Sequence, residues 1–440
     1  MSANAAGGAP VMYAAHQKVY PREISGRFAT LRWLAVFALL GLFYGLPWVQ
    51  WDGRQAVLFD LPQRKFFIFS LTFFPQDFYL LTWLLIIAAL TLFFVTALGG
   101  RLWCGYACPQ TVWTQVFVWL ERVAEGTWAH RIKLDKGRMT PGKFGRKVLK
   151  QVLWISFALF TGFAFVGFFV PVRSLGPSLL DGGVGFWAWF WILFYGFATY
   201  GNAGFMREQV CKYMCPYARF QSAMFDRDTL LISYDKARND CIDCTICVQV
   251  CPTGIDIRNG LQYECIACAA CIDACDPVMD KVGRPRGLIR YSTQNEIDGR
   301  RSRLLRPRVI LYGALLSLLI VGFAVAVSLR VPVTVDVLRD RNTLYRELPD
   351  GGVENVYSIR IINKDQHAHD FRVTTAGLAA ASVDSDMTLH PVPAEAVRTV
   401  VVRVRVPPGH VHGGQDFQVL VQAADAPGIV VRSRARFFAD

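Results

Sequence analysis

The sequence predicts a polytopic α-helical membrane protein of about five spans, with a cysteine-rich segment before the last span and a C-terminal immunoglobulin-like β-sandwich. Three observations carry that reading. Five apolar runs are long enough to cross a bilayer, twelve cysteines are gathered at short regular spacings, and the composition turns to short Val/Ile-rich runs after Arg330. The whole-chain composition agrees. Of 440 residues 53% are hydrophobic and only 18% charged, against about 25% charge in an ordinary soluble domain. Mean hydropathy is +0.29. A wholly soluble chain is thereby excluded, and 12 Trp and 32 Phe exclude general disorder, because such side chains demand burial.

The five runs are Trp33–Trp51, Phe78–Leu98, Leu149–Val170, Phe186–Phe205 and Val309–Leu329. A span takes roughly 20 residues of helix, and backbone groups in lipid must bond internally, so helices are expected. Phe66–Phe74 is too short to span. It is expected to lie at the interface, to re-enter, or, with Pro75 and Asp77, to extend the second helix. The first run begins too far along the chain and lacks the cleavage site of a signal peptide.

Basic residues set the orientation. Ten Lys or Arg lie from Arg101 to Lys150, between the end of the second run and the start of the third, and five Arg lie between Arg300 and Arg308. The loop after the third run has only Arg173. The N-terminus, the second loop and the cysteine-rich fourth loop are therefore expected in the cytoplasm, and the C-terminal part outside. This accounts for the net charge of +13 without nucleic acid. The domain plan is a disordered tail (1–26), a four-helix membrane domain (27–230), the cysteine-rich segment (231–300), a fifth helix (301–330) and the sandwich (331–440).

Cys241-x2-Cys244-x2-Cys247-x3-Cys251-Pro252 has the spacing of the bacterial ferredoxin run, and Cys265-x2-Cys268-x2-Cys271-x3-Cys275 repeats it with Asp276 inserted before Pro277. In two-cluster ferredoxins the fourth cysteine of each run ligates the other cluster. The expected ligand sets are Cys241, Cys244, Cys247 and Cys275 for one [4Fe–4S] centre, and Cys265, Cys268, Cys271 and Cys251 for the second. This makes 231–300 a cytoplasmic two-cluster bacterial-ferredoxin segment. Two zinc sites are the alternative, but zinc motifs usually separate two Cys-x2-Cys pairs by a longer spacer.

The remaining cysteines form two Cys-x3-Cys-Pro pairs, Cys104/Cys108 and Cys211/Cys215, each just after a membrane run. On one helical turn i and i+4 share a face, so two facing pairs would make a four-sulfur site. Soft thiolates suit Cu(I), zinc or an iron–sulfur centre, and a dithiol/disulfide couple is a further option. Inert buried thiols ending helices before proline are the plainer reading. Met214 is a candidate thioether ligand or a packing residue.

None of the seven histidines (His16, His130, His367, His369, His390, His410 and His412) lies in a predicted span, which excludes bis-His haem ligation in the bilayer. No Walker or dinucleotide fingerprint appears. Electrons are therefore expected from a protein, a quinol or a small reductant. In the external tail, strands are expected at Val331–Val337, Val356–Asn363, Phe371–Thr375, Thr399–Val406, Phe417–Gln422 and Ile429–Phe438. His367-x-His369 and His410-x-His412 are candidate copper ligands there, solvated loop histidines being the plainer reading.

The run Trp-Cys-Gly-Tyr-Ala-Cys-Pro-Gln-Thr-Val-Trp-Thr (103–114), the run Cys-Lys-Tyr-Met-Cys-Pro-Tyr-Ala-Arg-Phe-Gln-Ser (211–222), the cluster segment and Gly287-Leu-Ile-Arg-Tyr291 together resemble cytochrome c oxidase accessory proteins of the CcoG/FixG/RdxA type. The resemblance covers nearly the whole chain. It implies a bacterial inner-membrane protein that assists assembly of cbb3-type oxidase by reducing Cu(II) to Cu(I), a cupric reductase. Cys241 through Cys275 would carry electrons, and Cys104, Cys108, Cys211 and Cys215 would bind copper or bridge electrons toward it. Implied partners are oxidase subunits, copper chaperones or transporters, an electron donor and a second copy of the chain. An electron-relay subunit of a quinol-linked chain and a non-catalytic assembly scaffold are the alternatives.

Overall fold

The computed structural model describes residues 18–340, 343–385 and 388–439. Most of the predicted tail, with His16, lies outside the described residues. Its end does not behave as a tail: Lys18 and Tyr20 both bond Asp135, and Arg22 N–H donates to Gln249 O at 2.8 Å. The chain forms two compact units, one of Met1–Asp60 with Leu80–Ile320, the other of Leu61–Tyr79 with Val321–Asp440.

In the first unit, helix α1 (Arg27–Gly45) has no cap from its own sequence. The carboxylate of Asp273, buried in the cysteine-rich segment, accepts from Phe28 N–H at 3.2 Å and Ala29 N–H at 2.6 Å. It thereby satisfies two of the four orphan donors of the helix start. A Cβ at Gly26 would collide with that carboxylate, so only glycine admits the approach. Next come α2 (Phe78–Gly99), α3 (Pro109–Glu125), whose Pro109 suits a first helical position, and α4 (Pro141–Val166), capped by the Thr140 hydroxyl. Helix α5 (Phe186–Thr199) packs on α4 where Gly162 meets the backbone of Ile192, a small-residue contact typical of membrane helices.

Four helices among the described residues are long and apolar enough to cross a membrane: Arg27–Trp48, Pro75–Gly99, Pro141–Val166 and Pro307–Ser328. Only 6% of the most apolar window of the second is buried within the protein. So much exposed apolar helix is stable only in lipid. The predicted fourth span differs in kind. Helix α5 ends at Thr199 and the chain continues as a π-helix over Tyr200–Met206. The cause lies on another helix: Gln110 Nε2 of α3 donates to the carbonyls of Asn202 (2.9 Å) and Arg207 (3.1 Å), drawing them out of the α-helical ladder.

The cysteine-rich segment is framed by the antiparallel pair Leu231–Tyr234 and Ile289–Ser292, and contains a short helix, Ile246–Gln249, and α6 (Ala270–Lys281). Helix α7 (Pro307–Ser328) follows.

The second unit is a sandwich. One sheet runs Ser382–Ser385, Val397–Val406, Val353–Asn363, Val333–Arg339, with Arg346–Glu347 attached; the other runs His390–Val392, His369–Ala376, Gly414–Ala423, Val430–Phe438. All six expected strands are present. Alternate residues such as Val400, Val402, Val404 and Val406 point inward onto Phe371, Phe417 and Phe437. The apolar run Phe66–Phe74 is neither re-entrant nor α-helical. It makes a β-hairpin, Lys65–Ile68 with Leu71–Phe73, and Thr72 Oγ1 bonds Glu395 of the sandwich at 2.5 Å. Pro75–Asp77 adds a 3₁₀ turn leading into α2, and buried Asp77 pairs with Arg330 and with Lys364 at 2.7 Å.

Candidate functional site

The two cysteine runs adopt the same strained loop. Asp243 and Thr245, two and four residues after Cys241, have φ of 52° and 55°; Ala267 and Ala269, equally placed after Cys265, have 53° and 57°. Left-handed backbone at a non-glycine residue costs roughly 1–3 kcal/mol and persists where the site demands it. The same cost at matching positions of a repeat marks a shared job. The bend turns backbone N–H groups back toward sulfur, as Asp243 N–H to Cys241 Sγ at 3.4 Å.

Each loop walls one cavity. The first, of about 380 Å³ with its mouth, is lined by Cys241, Cys244, Cys247 and Cys275, with Ile246 and Arg258. The second, of about 330 Å³, is lined by Cys251, Cys265, Cys268 and Cys271, and Cys247 borders it as well. The distant cysteine of each run thus stands at the other run's cavity. The sulfurs ring these spaces rather than meet at a point: among the described residues, no three His, Cys, Asp or Glu close on a single ion. Burial pushes the Cys247 thiol up to about 11 and those of Cys265 and Cys275 to about 12. The protein alone leaves them neutral, and a cationic centre is needed to favour thiolates.

The Cys-x3-Cys pairs do not lie on single helical turns. Cys104 is in the short helix Leu102–Tyr106, but Cys108 is the extended residue before α3. Cys211 lies in a second π segment, Val210–Met214, and Cys215 is the extended residue before the helix Pro216–Ala223. The following prolines are the reason, since proline disfavours α geometry in the residue before it and opens a new helix well. The four thiols are neighbours without closing on one point: burial, with Cys108, Cys104 and Cys215 in electrostatic reach, lifts the Cys211 thiol to about 12, and among the described residues no three of them close on a single ion. Met214 is exposed.

This quartet adjoins the second cavity. Cys104, Cys268 and Cys211 belong to one packed cluster. A Cβ on Gly105 would lie 2.8 Å from Ile266 O and 2.9 Å from Ala267 O, so the Cys104 helix sits backbone to backbone on the Cys265–Cys268 loop. Buried Arg101 spans both sites, bonding the carbonyls of Tyr263 and Cys265 and, through Nε, Gln221 Oε1 at 3.1 Å; Cys104 Sγ contacts the same Gln221 oxygen at 3.3 Å. Tyr291 donates to Ala267 O at 2.7 Å and meets Tyr106 at 3.3 Å. Sequence reasoning missed Arg101, Gln221 and Asp273. Arg101 was visible only as a loop charge, and nothing local distinguishes the other two.

In the sandwich the copper reading of the histidines fails at His369. Its Nδ1 lies 2.7 Å from Asp425 and its Nε2 3.2 Å from Asp365, so both ring nitrogens are taken. His367 lies before the strand and is 82% exposed, and His410 and His412 are exposed loop residues.

Comparison with known proteins agrees with this geometry. Residues 323–440 match a family model described as the IG-like fold at the C-terminal of FixG; 206–240 and 236–294 match a 4Fe-4S dicluster domain; 81–125 match a 4Fe-4S binding domain. The chain is 40% identical to protein RdxB of Cereibacter sphaeroides over 422 residues (88% of each chain). It is 39% identical to RdxA of the same organism over 431 residues (90% of this chain, 91% of RdxA). The chain belongs to the CcoG/FixG/RdxA family. Nitrogen fixation protein FixG of Rhizobium meliloti is 36% identical over 427 residues, covering 84% of this chain and 82% of FixG. This CcoG/FixG/RdxA protein is thus an iron–sulfur membrane protein suited to electron transfer, with an Ig-like C-terminal domain. The matched iron–sulfur segments also take in both Cys-x3-Cys-Pro pairs, Cys104/Cys108 within 81–125 and Cys211/Cys215 within 206–240.

Proposed function

We propose that this protein draws electrons through two [4Fe–4S] centres to the Cys104/Cys108/Cys211/Cys215 quartet and there reduces Cu(II) to Cu(I) in support of cbb3-type oxidase assembly. The observation that carries the reading is the contact of the quartet with the Cys265–Cys268 loop. Cys241, Cys244, Cys247 and Cys275 would hold one centre, and Cys251, Cys265, Cys268 and Cys271 the other. The repeated loops, four-cysteine walls and apolar surroundings fit such groups. When bound they supply one-electron storage. The chain's own residues hold the two thiol systems in contact through Gly105, fix Arg101 beside Cys104, and exclude water with Ile246, Ile266 and Ile272. Cu(II) is the substrate. Each cupric ion takes one electron, and a thiolate site retains the soft Cu(I) product better than Cu(II).

The basic loops favour clusters in the cytoplasm of a bacterial inner-membrane protein, with the sandwich in the periplasm, where it could dock oxidase subunits or copper-handling partners. The direct test is anaerobic: dithionite-reduced protein is mixed with Cu(II) and a cuprous chelator. Wild type should form Cu(I) in proportion to its iron, and Cys104→Ser/Cys211→Ser should lose most of that activity while keeping the iron. Equal rates from iron-free protein would refute the proposal. A second reading has the family match at 81–125 in its favour, namely that the quartet itself holds iron and sulfide. It predicts clearly more than about eight iron atoms per chain, falling to about eight in the double variant.

A further inference from the structure

The reading above leaves the electron source open. Beside Cys211 and Cys268 lies a cavity of about 1160 Å³ with its mouth, bounded by the segment before α1, by α1, by α3 and by the Arg207–Cys211 turn. Its lining includes the polar side chains Arg32, Gln110, Thr114, Arg131 and Glu208, while Ile24, Val250, Ile266 and Ala270 pack beside Cys211 and Cys268. Arg32 is 91% buried, yet its Nε has no hydrogen-bond partner and it makes no ion pair among the described residues. Arg131, 1% exposed, also presents an unpartnered Nε. Buried unsatisfied guanidinium N–H is costly unless an acceptor oxygen meets it. The cavity also runs into an apolar groove. Trp33 and Trp119 line this cavity and also a second groove, walled by Val36, Phe37, Leu40, Gly41 and Tyr44 of α1. From Trp33 to Tyr44 a helix rises roughly 16 Å, and α1 is one of the four candidate spans.

A ligand matching both the polar side chains and the groove has a flat redox-active head with acceptor oxygens and a hydrocarbon tail that stays in the membrane. We propose that this cavity binds a quinol, with its head at Arg32 beside Cys211 and Cys268 and its tail along α1, and that the quinol is the electron donor of the protein. This rests on the electron-transfer reading above. Oxidation of the quinol to the quinone releases two electrons and two protons. The electrons would pass singly to the one-electron groups that the eight cysteines would hold, and the carboxylates of Glu208 and Glu23, which line the cavity, can receive the protons. A nucleotide has no use for the groove. A phospholipid fits the groove and the arginines but has no role beside cysteines.

The test uses full-length protein in phosphatidylcholine nanodiscs, with decylubiquinone as probe and co-sedimentation as readout, which does not depend on activity. Arg32→Leu should weaken binding about tenfold or more, equivalent to about 1.4 kcal/mol, with iron content unchanged, and Arg32→Lys should restore part of it. Gly41 has open space at its Cβ, so Gly41→Phe should fill the groove without a clash. It should weaken decylubiquinone while sparing tail-less menadione, and it carries the test should Arg32→Leu fold poorly. Wild-type affinity in both variants would overturn the inference. So would displacement of the quinone from wild type by phosphatidylglycerol, which would make the cavity a lipid site. Protein that reduces Cu(II) after dithionite but binds no quinone overturns this inference alone. Quinone binding by a chain that carries no iron refutes the electron-transfer reading and leaves only the site.

Discussion

The eight-cysteine segment and the four-cysteine quartet use the same side chain at comparably short spacings, yet they are built differently. In the segment, each loop makes its own geometry: Asp243 with Thr245 and Ala267 with Ala269 turn the chain back on its sulfurs within a few residues. The quartet is assembled from afar. Its two halves lie more than a hundred residues apart, and Cys211 depends on the turn at Arg207, whose φ of 31° is held by bonds to Gly204 O (2.8 Å) and Glu121 (2.7 Å). A site encoded locally survives damage to the surrounding fold. A site encoded by packing does not.

The largest effect is expected at Glu121. It is fully buried and accepts from both Arg207 and Arg131. Burial opposes its charge, but Arg207, Lys18 and Arg131 hold it ionised below the usual carboxylate range. Glu121→Ala removes the buried carboxylate that Arg207 and Arg131 share, leaving Arg207 its bond to Gly204 O and Arg131 its bonds to Glu23 and Pro21 O, and should cost about 3–5 kcal/mol. Thermal melting should fall sharply and Cu(I) formation with it, while iron in the eight-cysteine segment is retained longer on heating. Simultaneous loss of both would show that the segment is not independent.

Next in size is Asp273→Ala, which unpairs the Phe28 and Ala29 N–H groups at the start of α1. It should cost about 1–3 kcal/mol, read as a lower melting temperature, and Asp273→Asn should recover part of it. Gly105→Val tests the contact between the two sulfur sites. The added carbons meet the carbonyls of Ile266 and Ala267, at about 1–3 kcal/mol, and Cu(I) formation should slow with iron content unchanged.

The sandwich offers a smaller, pH-dependent effect with no bearing on either sulfur site. Burial disfavours the His369 cation, but its hydrogen bonds to the Asp425 and Asp365 carboxylates outweigh it and raise its pKa. A raised folded-state value means stabilisation fully present below the unfolded value of about 6.5 and lost as pH rises through the folded value. The melting of the sandwich should therefore fall across that window, and His369→Gln should flatten the dependence. Smallest of all, His367→Ala should stay within about 0.5 kcal/mol of wild type and leave Cu(I) formation unchanged.

Much of this was legible along the chain. The six strands of the sandwich follow from alternation, and the segment's eight cysteines from spacing alone. Less was legible where distant groups intervene. The hairpin within Phe66–Phe74 is hidden along the chain because the partner of its Thr72, Glu395, is more than three hundred residues away. The predicted fourth span is diverted into a π-helix by Gln110, a residue of α3, which no window over Phe186–Phe205 contains.

The apolar helices, the two ferredoxin loops and the strand pattern can be read along the chain, because periodicity, proline and cysteine spacing act within a few residues. Packing alone makes Asp273 cap α1, rests the quartet on the Cys265–Cys268 loop, and leaves the buried Nε of Arg32 with no hydrogen-bond partner among the described residues. Those outcomes depend on which backbones approach closely enough to exclude a side chain or water, and that is a property of packing rather than of order along the chain.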